Sequence, residues 1–242
     1  MVRTVSIVTA TLLFCYITLA IFFLRDSKDV GNCHNVQIVV TDSLDKHFVS
    51  DLDVLTMIKH SGLNPVNKPM NRINTFRLEK ALLKNEMIAQ VAAYKTPSGT
   101  IRLEIAQKIP ILRIISPQGN YYIDNLGTTM PISTRYVADV PIASGNIEKR
   151  FAITNLYKFA LFLQSDDFWN DQIEQIYVNQ NNDVELIPRV GEQVIMLGSF
   201  ENFEEKLANL KLFYDQAVPK VGWDKYSIIN LKYKDQIVCT KK

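Results

Sequence analysis

Apolar positions recur along this chain in several distinct rhythms, and each predicts a different kind of element. From Thr4 to Leu24 the run is unbroken, with no charge, proline or glycine. As a helix rising about 1.5 Å per residue it spans roughly 31 Å, close to the hydrocarbon thickness of a bilayer. The pattern predicts one transmembrane anchor over 4–24, preceded by a tail over 1–3 and followed by a polar juxtamembrane spacer over 25–34. A cleaved signal peptide is the competing reading. Signal cores run about 7–15 residues and end in a small-x-small site, whereas Ile21 to Leu24 continue straight through Thr18-Leu19-Ala20. The flanking charges do not orient the segment: Arg3 lies on one side, Arg25 and Lys28 on the other, and acidic neighbours count for little.

After the spacer the rhythm shortens. Asn35 to Asp42 alternates as a strand. Ser50 and Asp53 form a capping box in front of a helix, with Val49 stapled onto Val54; Val54, Leu55 and Ile58 make its buried face and Gly62 ends it. A loop with Pro65 and Pro69 leads to a second helix, capped by Asn74, that buries Leu78, Ala81 and Leu82 and stops at Asn85. Met87 to Tyr94 reads as a strand, Thr96 to Gly99 as a turn, and Ile101, Leu103 and Ile105 alternate with Arg102 and Glu104. The order strand, helix, helix, strand, strand over 35–110 predicts a small α+β domain, two helices lying on one face of a three-stranded sheet.

From Ile111 the texture turns β-rich, predicting a larger mixed β-domain over 111–240 with helices packed on its sheet. Ile111 to Ser116 and Tyr121 to Asp124 form a hairpin, continued by Thr128 to Ile132. A helix spans Ile147 to Leu163, with Ala152, Leu156, Phe159 and Leu163 at helical spacing. Gln172 to Asn179 pairs with Val184 to Pro188, and Val194 to Leu197 is a further strand. Asn202 with Glu205 reads as another capping box, for a helix whose Leu207, Leu210, Tyr214 and Ala217 face one way and that Val218-Pro219 ends. Ser227 to Cys239 reads as one last strand.

Composition adds exclusions. The chain has 242 residues, 47% hydrophobic and 21% charged, with a formal net charge of +2. Its charges are interspersed, so no block argues for nucleic acid or for a disordered tail. Only Cys33 and Cys239 stand outside the apolar segment. Two lone cysteines are no disulfide framework, so stability rests on packing. His34, His47 and His60 have no partner at metal-ligand spacing and read as surface residues. No nucleophile elbow, zinc-protease helix or phosphate-cradling glycine loop occurs. Asp166-Asp167 and Glu204-Glu205 read as caps and dipole complements rather than acid/base pairs, and Phe168 with Trp169 as core plugs. No catalytic residue, metal ligand or cofactor is expected.

The terminal strand is the better candidate. Ile229, Leu231 and Tyr233 alternate with polar residues, and Lys234-Asp235-Gln236 interrupt before Ile237 and Val238. A terminal strand at a sheet edge leaves N–H and C=O groups free to take a partner strand. An ordinary edge protected by Lys232, Lys234, Lys241 and Lys242 is the simpler alternative.

Five motifs in order resemble the FtsQ/DivIB family of bitopic bacterial cell-division proteins. Leu78 to Asn85, Val91 and Gly99 to Ile105 resemble a POTRA signature closing on Lys108-Ile109-Pro110. Tyr122 to Gly127 resembles the turn that opens the β-domain, Val194 to Gly198 its late Leu-Gly segment, and Ile229 to Tyr233 its last strand. The resemblance implies a non-enzymatic divisome scaffold at the septum that links early and late division proteins. It implies a single-pass inner-membrane protein, N-terminus inside and later domains in the periplasm. FtsB-like and FtsL-like bitopic partners would be bound through Ile229, Leu231, Lys232, Tyr233, Asp235, Gln236, Ile237 and Val238, held near the membrane surface. Asn230 and Lys232 stand where the family usually has Asp and Arg. A POTRA-bearing assembly or secretion chaperone is the alternative function, although neither repeated POTRA units nor a terminal barrel is evident.

Overall fold

The computed structural model describes residues 13–19, 31–41 and 48–242. Of the apolar run 4–24, only 13–19 is described, and it is helical. The remainder of that run, the tail 1–3, residues 25–30 of the spacer and His47 lie outside the described residues. Among the described residues no helix is long and apolar enough to cross a membrane.

Residues 31–107 build a three-stranded sheet. Strand β1 (Asn35–Val40) runs parallel to β3 (Thr100–Gln107), which pairs antiparallel with β2 (Ile88–Lys95). Helices α1 (Asp51–His60) and α2 (Thr75–Leu82) supply Val54, Ile58, Leu78 and Leu82 to one core with Ile101, Leu103 and Ile105 of β3. The Ser50–Asp53 capping box forms: Ser50 Oγ accepts from Asp53 N at 3.3 Å, and the Asp53 carboxylate accepts from Ser50 N at 3.0 Å. Gly62, at φ +70°, lets Leu63 N return to Ile58 O at 3.3 Å, a Schellman ending. Leu55 departs from expectation and is exposed. It stands about 100° round the helix from Val54, past the stripe laid against β3.

The second sheet has nine strands in the order β12-β11-β10-β9-β8-β7-β4-β5-β6. They are β4 (Pro110–Ser116), β5 (Gly119–Asp124), β6 (Thr129–Pro131), β7 (Ile142–Gly145), β8 (Ile173–Val178), β9 (Val184–Pro188), β10 (Val194–Gly198), β11 (Tyr226–Asn230) and β12 (Val238–Lys241). Two crossovers between parallel neighbours decide which face is covered. A helical stretch over 149–165 (α3), with a π-helical segment Ala152–Leu156, leads with α4 (Asp167–Gln172) from β7 to its parallel neighbour β8. Helices α5 (Phe203–Gln216) and α6 (Val218–Val221) lead from β10 to its parallel neighbour β11. Both crossovers step the same way along the sheet, so the common handedness puts both helices on one face. There Phe203 meets Phe159 and Phe162 at 5.2 Å between ring centroids. Asp166 caps α4 through Phe168 N and Trp169 N, and Trp169 is buried in the core.

Two expectations are corrected and a third is refined. Asn202 precedes α5 with a left-handed backbone (φ +54°) and makes no side-chain cap, because that backbone swings its amide away from the first turn. Helix α5 does end before Val218-Pro219, at Gln216, but helical structure resumes there: Pro219 lies in the first turn of α6, where its missing N–H costs nothing. The terminal stretch is not one strand but a hairpin, β11 and β12, around residues 231–237.

A buried junction joins the two sheets. Tyr122 of β5 and Met130 of β6 leave the second core and pack into the first. Phe48 meets the Tyr122 ring at 6.3 Å and the Tyr136 ring at 4.8 Å. Arg135 reaches across to the Asp53 carboxylate that closes the α1 capping box. Below them Asp124, wholly buried, accepts from Leu126 N at 3.1 Å and Thr128 N at 2.7 Å. Lys108 Nζ stands 3.5 Å from that carboxylate and donates to Thr129 O at 3.1 Å.

Asp124→Ala takes the acceptor from the Leu126 and Thr128 amides and the counter-charge from the Lys108 ammonium. A loss of about 3 kcal/mol is expected in urea unfolding. Gly145→Ala is expected to cost at least about 2 kcal/mol, because φ is +107° and the new Cβ would lie 2.1 Å from Val178 O. A stability reading also follows at high pH. Burial pushes the Tyr214 phenol up to about 12, and Gln193 beside it offsets this only in part. The folded state therefore holds this proton after the unfolded chain has released it. Stability should fall between about pH 10 and 12, and thermal melts of Tyr214→Phe across that window should lose less.

Candidate functional site

The C-terminal hairpin sorts the expected contact residues into three groups. Ile229 on β11 and Leu231 just after it are buried, and Leu231 N donates to Met196 O at 2.9 Å. They fix the hairpin to β10 rather than face a partner. Lys232, Tyr233, Asp235, Gln236 and Ile237 lie in the connection 231–237, with Tyr233 53% exposed and Asp235 in the left-handed region. Only Val238, 44% exposed, belongs to β12 itself, where it pairs with Asn230.

Among the described residues β12 ends the sheet, since its one neighbour there is β11. A strand with one neighbour has alternate amides and carbonyls directed outward. Its end is fastened by Lys242, whose Nζ is 2.7 Å from Glu192 and 3.9 Å from Asp224. Ser227 Oγ donates to Thr240 O at 3.3 Å. Cys239 sits half-buried on β12 as a free thiol, which burial pushes up. Cys33 is buried in the other core, also free.

Beside this edge a groove of about 230 Å³ opens between the connection and the start of α5. Tyr233, Gln236 and Ile237 form one wall; Glu205, Lys206 and Asn209 form the other. Lys232, on its lining, is packed closely from behind. Gly198, at φ +76°, ends β10, and a Cβ there would come within 2.9 Å of the Lys232 stem. Lys232 is held in turn: its N–H donates to Asn230 Oδ1 at 2.9 Å, and its Nζ lies 2.6 Å from Asp183. Lys206 spends its ammonium on Leu197 O at 3.0 Å and Ser199 O at 2.9 Å; burial pushes its pKa down, against Glu201 and Asp183, which raise it. Cations tied into carboxylates and carbonyls, next to an exposed ring and an open strand, suit an extended peptide with an acidic or polar side chain.

Asp183, Lys206 and the αL turn at Asn202 escaped the sequence reading as parts of this site. Their signal was present only as Lys206 falling four residues after Asn202, which reads equally well as an ordinary helix start. Asp183 sits on another hairpin, and nothing local ties it to Lys232. Among the described residues no group of His, Cys, Asp and Glu is placed to hold a metal ion.

No curated protein matches this chain. Residues 31–106 match the POTRA-like domain family, covering the three-stranded sheet and its two helices. Residues 109–240 match the family described as FtsQ/DivIB, C-terminal related, and so cover the nine-stranded sheet. That match takes in more than half of the sequence and bears out the resemblance carried by the five motifs: the chain belongs to the FtsQ/DivIB family.

Proposed function

We propose that this cell-division family member is a non-enzymatic divisome scaffold that links early and late division proteins at the septum. The anchor over 4–24 crosses the inner membrane with the tail 1–3 in the cytoplasm. The spacer 25–34, the POTRA-like domain 35–110 and the β-domain 111–240 follow in the periplasm. FtsB-like and FtsL-like bitopic proteins are the partners. An extended segment of the FtsB-like chain adds to β12 alongside Val238, with its side chains over Tyr233 and in the groove by Lys232, Asp235, Gln236 and Ile237.

The observation that carries this reading is the edge position of β12. It is the last strand of a sheet nine strands wide, and a groove with fixed cations lies next to it. Main-chain pairing supplies affinity and the groove supplies side-chain selection. The hairpin also moves the contact surface: Ile229 and Leu231 act as buried supports, while 238–241 offers the pairing edge.

Successive amides of a strand point to opposite sides, so Cys239→Pro and Thr240→Pro between them remove one outward and one inward N–H of β12. Pull-down of a co-expressed FtsB-like partner should be lost with the outward substitution while near-UV circular dichroism shows a folded domain. Undiminished capture by both variants would sink strand addition at this edge. In cells, a fluorescent fusion of the full chain should form a mid-cell band; a uniform envelope signal would instead favour the assembly-chaperone alternative.

A further inference from the structure

The two ends of the POTRA-like domain differ sharply in charge. Its far end joins the second sheet. Its near end, where the chain first enters the fold, gathers three segments. Gly31 to His34 are stitched to the α1–α2 loop: Cys33 N donates to Lys68 O at 2.9 Å, Asn67 N to Cys33 O at 2.8 Å, and Met70 N to Gly31 O at 3.0 Å. His34 N donates to Gly99 O at 2.9 Å, which brings in the β2–β3 turn. Strand and helix directions place the end of α1, the start of α2, the end of β2 and the start of β3 at this same pole.

No aspartate or glutamate occurs in any of these segments: 31–41, 54–78 and 94–103 are all free of acids. Lys59, Lys68, Arg72, Arg77 and Lys95 are all exposed there. Among them project two large rings, Phe76 at 67% and Tyr94 at 50% exposure. Exposed aromatics among cations that make no ion pair with another described residue form the pattern that seats at a headgroup boundary, rings at the interface and ammonium or guanidinium groups on phosphate.

We infer that this pole is a seating surface for the anionic phospholipid headgroups of the membrane that anchors the chain. The inference rests on the anchor reading of 4–24. About ten residues separate that run from β1, so the tether reaches at most roughly 35 Å and opens directly onto the basic pole. The spacer has equal numbers of cations and acids, Arg25 and Lys28 against Asp26 and Asp29, so the attraction comes from the folded pole. The pole therefore orients the domain with α1 and α2 standing up from the bilayer and the junction to the second sheet directed away from it.

The test places a nitrobenzoxadiazole fluorophore on Phe76→Cys in a Cys15→Ser/Cys239→Ser background of the full chain. The chain is reconstituted in vesicles of phosphatidylcholine alone or with a third phosphatidylglycerol. Blue-shifted emission and quenching by doxyl-lipid are expected only with phosphatidylglycerol, and 0.5 M NaCl should abolish both. Lys68→Gln and Arg72→Gln should each lower the seating equilibrium constant about fivefold. Water-like emission in both vesicle types, or concentration-dependent self-quenching that marks a second copy of the chain on this face, would overturn the inference. Failure of the anchor reading shows separately, as release of the protein from the vesicles by carbonate.

Discussion

The arrangement of this molecule depends on one wholly buried carboxylate and the ring next to it. Asp124 closes the β5–β6 turn by accepting two main-chain N–H groups, and Lys108, on the link between the sheets, stands beside it. Asn125 N donates to Ile109 O at 2.8 Å, tying the same turn to the same link. The neighbouring Tyr122 then leaves its own sheet's core for the other one. A link of a few residues would ordinarily be a hinge. Here its lysine is committed to the turn, and β5 and β6 send Tyr122 and Met130 into the core of β3, so the two sheets are joined by packing rather than merely tethered. Breaking the turn would loosen the angle between them before it unfolded either.

Much of the first sheet was legible because its signals are local. A capping box, a staple, a left-handed glycine and strict alternation in β3 each involve residues within a turn or two of one another, and each formed. The failures came where local chemistry admitted two backbones. Asn202 and Glu205 have cap spacing, but the Ser199-Phe200-Glu201 turn leaves Asn202 left-handed, and the cap is lost. Residues 227–239 alternate like one strand; the polar triplet Lys234-Asp235-Gln236 is the actual signal of a reversal, with Asp235 taking the positive φ. The groove was least legible of all, because the Lys232–Asp183 pair spans two hairpins 49 residues apart in sequence.

An open edge needs protection when no partner is present. On the first sheet, α2 supplies it: Glu79 Oε1 accepts from Ala93 N at 2.8 Å and occupies one outward amide of β2. β12 is protected differently, by being only four residues long and by ending in Lys241 and Lys242. A short, charged edge disfavours pairing with its own copy yet leaves main-chain groups for a longer acidic or polar segment. The lysines and the open edge, weighed as alternatives in the sequence, are thus compatible: the charges select against self-association without closing the edge.

The strand order also separates the two free edges of the second sheet. β6, next to the POTRA-like domain, and β12 are the two extremes of the sheet. With strands about 4.8 Å apart, eight spacings put them roughly 38 Å from each other. β12 is therefore held in place by the strands between it and β6 rather than by the POTRA-like domain itself. The rigid junction then decides how steadily that edge is held. If the sheets swung freely about Lys108 to Pro110, the edge would sweep a wide volume and each encounter would carry that orientational cost; with Tyr122 and Asp124 locked, the edge is presented at one height and one angle.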